Sequence, residues 1–153
     1  MKKFELTREF ITFLGRKLFR IKALVEFGDV KAGELGGYVE KEENINHEGN
    51  AWVYGNARVY GDARVYGDAL VVKQEDIIFT AAKFGTIFRT TTAYRTTDGV
   101  QINCGCFSGN LEEFREQITQ TREGRMREKY LHHADEIEMY FDLDLEKEEK
   151  EGE

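Results

Sequence analysis

The sequence predicts a mostly β protein with C-terminal helices: a short coil of six-residue repeats, capped by antiparallel hairpins and followed by a two-helix hairpin. Three observations lead there. A period of six runs through residues 47–71, apolar and polar residues alternate on either side of it, and beyond residue 110 the apolar residues recur every three or four positions. At 153 residues the chain is long enough to bury a core without disulfides or a metal.

The N-terminal segment, 1–28, reads as a hairpin cap. Phe19, Ile21, Ala23 and Val25 alternate against Leu18, Arg20 and Lys22, and Gly15 separates them from Phe10 to Leu14. Residues 29–76 carry the repeat. Val53-Tyr54-Gly55-Asn56-Ala57-Arg58 is followed by Val59-Tyr60-Gly61-Asp62-Ala63-Arg64 and Val65-Tyr66-Gly67-Asp68-Ala69-Leu70, and the phase extends back through His47-Glu48-Gly49-Asn50-Ala51-Trp52. Val and Ala of each unit point one way, Tyr and Arg the other, and Gly-Asn or Gly-Asp supplies a residue tolerant of left-handed backbone at a corner. Units so short cannot bury an apolar face alone, so they are expected to stack as a coil. A meander of hairpins is the competing arrangement, with strands of about four residues that would be marginal. If three units make one turn, residues 18 apart stack: His47 over Val65, Val53 over Val71 and Trp52 over Leu70.

Residues 77–107 read as a second antiparallel set, rich in β-branched and aromatic residues, with a turn at Thr97-Asp98-Gly99 before Val100 to Cys104. Residues 108–141 read as a helical hairpin. Asn110 and Glu113 have the spacing of a capping box, Leu111, Phe114 and Ile118 form one stripe, and Met126, Tyr130, Ala134, Ile137 and Phe141 form the next. Residues 142–153 are an acidic tail with seven acids and two Lys. The tail carries −5 of the formal −7, so the preceding 141 residues are nearly neutral.

The Gly-Asx-Ala-x-Val-x period resembles the hexapeptide repeat of left-handed parallel β-helices. Together with Gly28-Asp29-Val30-Lys31-Ala32-Gly33-Glu34-Leu35-Gly36-Gly37-Tyr38-Val39-Glu40-Lys41-Glu42-Glu43-Asn44 and Cys104-Gly105-Cys106-Phe107-Ser108-Gly109, it resembles small phage- and prophage-encoded hexapeptide-repeat proteins, of the polymer-forming or transferase-like kind. The resemblance implies a short left-handed parallel β-helix, a phage setting and hence the host cytoplasm, and homo-oligomers that pack wall to wall. It brings no particular activity with it.

Composition narrows the chemistry. The longest apolar run is about five residues against the ~18 of a membrane span, and the N-terminus lacks the apolar block of a secretory signal, so a soluble cytoplasmic protein is expected. Direct nucleic-acid binding is not expected, because the basic residues near the first helix, Arg115 to Lys129, are interleaved with glutamates. No catalytic set, metal site or cofactor is expected. His47 replaces a repeat Val and reads as a core or corner residue rather than the general base of a hexapeptide acyltransferase. His132 and His133 diverge by ~100° on a helix. Cys104 and Cys106, read as two positions on one strand face, are expected to be small buried apolar residues.

The candidate binding surface is the outward wall of Trp52, Tyr54, Arg58, Tyr60, Arg64 and Tyr66, residue types enriched in binding hot spots. Three functions follow from it. The favoured one is a non-enzymatic phage accessory protein that docks on a host protein, a component of antiviral defence, and inhibits it. The others are a hexapeptide acyltransferase and a sponge that sequesters a nucleotide by stacking and phosphate pairing.

Overall fold

A computed structural model describes residues 2–84 and 87–143, so the predicted tail from 144 onward lies outside the described residues. Strands β1 (Phe4–Phe13) and β2 (Arg16–Ala23) form the N-terminal hairpin. Its turn holds Leu14 at φ 52° and Gly15 at φ 76°, the positive pair that a two-residue type I′ connection demands. β2 pairs antiparallel with β3 (Leu35–Val39), and β3 pairs parallel with β5 (Arg58–Val59), giving the mixed order β1-β2-β3-β5. β4 (Trp52–Val53) and β6 (Leu70–Val71) form a separate parallel pair. The third sheet is antiparallel, in the order β10-β9-β8-β7, from β7 (Ile77–Ala82), β8 (Arg89–Arg95), β9 (Val100–Cys104) and β10 (Phe107–Gly109).

This topology corrects the expected fold. The two four-stranded sheets are mixed and antiparallel, the parallel β4–β6 pair stays two-stranded, and none is a parallel β-helix solenoid. Nor are the repeats a meander of hairpins, since the pairs they make with one another and with residues 38–45 are parallel. The 18-residue register occurs at Trp52↔Leu70 and Val53↔Val71. Elsewhere it fails: Tyr38↔Arg58 and Ile45↔Val65 are 20 residues apart, and Val65 faces Ile45 instead of His47.

Two physical causes break the coil. A 3₁₀ turn at Glu42–Asn44 interrupts the repeat, and there the fully buried Asn44 side chain replaces main-chain pairing. Its Nδ2 donates to the carbonyls of Gly61 and Ala63, while its Oδ1 accepts from the Lys41 N–H. The second cause lies at the third repeat. On one side Val65 bonds the main chain at Asn44 and Asn46. On the other, where a further turn of a solenoid would lie, side chains of β8 and β9 take over: the Arg64 N–H donates to Thr92 Oγ1, Asn103 Nδ2 donates to the Arg64 carbonyl, and the Tyr66 N–H donates to the Tyr94 hydroxyl. The antiparallel sheet therefore stops the array.

β3 reaches β5 only because residue 37 is glycine. A Cβ there would stand 2.5 Å from the Ala57 carbonyl oxygen and 2.7 Å from Val53 Cγ1, both closer than contact allows. The first core gathers the repeat valines and alanines under Phe4, Ile21 and Trp52. A second core lies between β8–β9 and the helices α1 (Leu111–Thr121) and α2 (Gly124–Tyr140). The capping box forms: Asn110 Oδ1 accepts from the Glu113 N–H at 2.8 Å, and Glu113 Oε1 accepts from the Asn110 N–H at 3.0 Å. No helix among the described residues is long and apolar enough to cross a membrane.

Candidate functional site

Of the six residues expected to point outward from the coil, several are turned into the molecule. Trp52 is the largest correction: it is 0% exposed, with Phe27 and Phe4 edge-on to its indole at 5.2 and 6.0 Å, so it belongs to the core. The N-terminal strand and the loop before β3 fold over the face that the repeat alone would leave bare. Tyr54 is half-buried against the same core, and that burial raises its pKa. Tyr60 is enclosed by Phe79 at 4.7 Å and Phe13 at 5.6 Å, with the Arg16 guanidinium over its ring. Arg58 lies 4.5 Å over the Phe13 ring, and its main chain is held at both N–H and C=O by the Gln74 side chain. These two pairs bind the hairpin tip to the rest of the molecule.

Only Arg64 and Tyr66 of the six meet in a concavity. They line one wall of a groove of about 740 Å³, whose other wall is built by Phe88, Arg89, Thr90 and Thr92. β8 sets this wall by alternation: Thr90 and Thr92 face the groove, while Thr91 faces away and donates to Cys104 Sγ. The floor is the hydrogen-bonded set that stops the repeat. Asn103 joins it by donating to the Tyr94 hydroxyl at 2.9 Å and accepting from Ser108 Oγ at 2.8 Å. Tyr94 is 0% exposed, and burial, the largest influence on it, raises its pKa and keeps the phenol neutral. The main chain of Arg64 and Tyr66 is thereby fixed by hydrogen bonds within the protein.

The groove's charge is cationic where it is uncommitted. Arg64 Nη1 donates to the Tyr66 hydroxyl at 3.2 Å, which raises the arginine's pKa, and neither Arg64 nor Arg89 has an ion-pair partner among the described residues. Asp62 also lines the groove, but Lys41 holds its carboxylate at 2.9 Å and lowers its pKa. Gly105, at φ 59°, leaves room for Arg89, since a Cβ at that position would run into the guanidinium.

The other chemical candidates have structural employment. His47 Nδ1 accepts from the Lys3 N–H at 3.0 Å and its ring stacks on Phe4 at 4.4 Å, so both its edge and its face are used in packing. His133 is buried with Nε2 3.1 Å from Thr80 Oγ1, while His132 points to solvent. Cys104 and Cys106 do not share a strand face, which corrects that expectation: β9 ends at Cys104, which is buried, and Cys106 lies exposed in the turn before β10.

Arg89, Phe88, Thr90, Thr92 and Asn103 were not singled out by sequence reasoning. The signal that could have found them is the run Arg89-Thr90-Thr91-Thr92, in which alternation sends the Thr90 and Thr92 hydroxyls to one face, while Arg89 starts on the Thr91 face and borders the groove only at the strand's entry, beside Gly105. No protein-family model matches the chain, and no curated protein matches it.

Proposed function

We propose that this chain is a non-enzymatic binding protein that holds an anionic small molecule in the groove between the third repeat and β8. The observation that carries the reading is that Arg64 and Arg89, neither within ion-pair distance of a carboxylate among the described residues, both border one groove, Arg64 from the repeat and Arg89 from the entry to β8. A volume of about 740 Å³ lies within the ~300–1,000 Å³ of small-molecule sites. Arginine forks suit phosphate and carboxylate oxygens, and a floor already fixed by hydrogen bonds lowers the ordering cost of binding.

This places sequestration ahead of docking on a host protein. Trp52 and Tyr60, the anchors that docking would use, are engaged inside the chain. In the phage accessory role that the sequence resemblance implies, the protein would act by withholding a ligand from a host component.

Calorimetric titration with inorganic pyrophosphate tests the reading. Binding should weaken at least tenfold in Arg64→Gln and in Arg89→Gln, and should fall as ionic strength rises. Absence of binding by the wild-type protein, or equal binding by both variants, overturns it.

A further inference from the structure

Resting on that reading, we infer that the ligand is a nucleotide, with its phosphates at Arg64 and Arg89 and its base against Phe88. Phe88 is 73% exposed and Ile87 53% exposed, beside the two guanidiniums. Beside these cations the exposed ring offers an open π face, which a flat aromatic group covers best. A simple anion would pair with the arginines and leave Phe88 bare. A fatty chain would cover Phe88 but has no use for the hydroxyls of Thr90 and Tyr66, which line the same space.

A nucleotide satisfies all three demands in one molecule. Its base presents a π face to Phe88, its phosphates take the guanidinium forks, and its sugar hydroxyls reach Thr90 and Tyr66. Stacking on an aromatic side chain accepts any base, so the geometry selects the class before it selects the base. The cationic groups and the ring come from opposite walls, Arg64 from the repeat and Phe88 and Arg89 from the entry to β8, so a ligand touching all of them bridges the two parts of the fold.

The test compares inorganic pyrophosphate with ADP, GDP, CDP and UDP by calorimetry, on wild-type protein and on Phe88→Ala, with folding checked by circular dichroism. At least one nucleoside diphosphate should bind tenfold or more tightly than pyrophosphate. In Phe88→Ala its affinity should drop to that of pyrophosphate, while pyrophosphate binding is unchanged. If pyrophosphate binds and none of the four diphosphates exceeds it, or if Phe88→Ala leaves the preference intact, the nucleotide inference is wrong and the anion site stands. If neither pyrophosphate nor any diphosphate binds, both fall together.

Discussion

Replacing Trp52 by Ala should unfold a large part of this protein's stability, although an isolated repeat would present that residue as a surface anchor. The indole is 0% exposed and is flanked by Phe4 and Phe27. Removing a buried Trp or Phe ring costs about 3–5 kcal/mol when the surroundings collapse only in part. One feature reduces that figure: the indole N–H is buried with no hydrogen-bond partner, a burden of about 1–3 kcal/mol that the truncation also removes. The expected loss is therefore about 3 kcal/mol, a large share of the ~5–15 kcal/mol of an ordinary domain. Trp52→Phe keeps most of the ring and discards the orphan N–H, so it should fall within about 1 kcal/mol of wild type. Urea unfolding followed by far-ultraviolet circular dichroism measures all three proteins. In the wild type the single tryptophan adds an independent signal, a blue-shifted emission that moves red on unfolding. A Trp52→Ala midpoint within 1 kcal/mol of wild type would refute the buried assignment.

Three further perturbations have defined signs. Leu14 sits 74% exposed at φ 52° beside Gly15, so Leu14→Asn, which tolerates that backbone, should stabilise the hairpin by about 1 kcal/mol in a thermal melt; a loss of stability would mean that the Leu14 side chain is needed. Burial lowers the Lys3 pKa from 10.5 to about 8, so between those values the native state sheds its proton before the unfolded chain and stability from this site rises with pH, by at most about 3 kcal/mol; the wild-type minus Lys3→Met difference should climb across pH 8 to 10.5, and a flat difference contradicts this. His133 is held below 6.5, chiefly by burial, so acidification below 6.5 protonates the unfolded chain first and removes stability; the drop in urea midpoint from pH 7 to 5 should be smaller in His133→Gln, and an equal drop would dismiss the histidine as its source.

Local patterns in the sequence specified local structure well. The Asn110–Glu113 spacing formed its capping box because both partners lie within one turn. The Thr97-Asp98-Gly99 turn leads into β9 because alternation survives on either side of it. What the repeat could not reveal was its surroundings. Period six orients Trp52 opposite Val53, and outward is the natural reading until a segment from residues 4 to 27 is known to lie over it. The break in the coil depends on Asn44 and Asn103, whose amides replace main-chain partners from 17 to 39 residues away, and no periodicity encodes such a substitution. The groove illustrates both cases. Arg64 and Tyr66 stood out because they belong to the repeat, whereas Arg89 and Phe88 are brought to the groove only by the wall they lie across from.

The side chains that stop the repeat also set an order of events during synthesis. Arg64 and Tyr66 are fixed by Thr92, Tyr94 and Asn103, which follow them by 28 to 39 positions. As the chain emerges N-terminus first, the third repeat has Ile45 to pair with on one side and nothing on the other until β8 has been made, and the Arg64 carbonyl waits for Asn103 of β9. The binding groove is thus among the last features to exist. A product cut short before residue 103 carries the complete array of repeats and both walls of the groove but lacks the Asn103 amide that ties the Arg64 carbonyl to Tyr94.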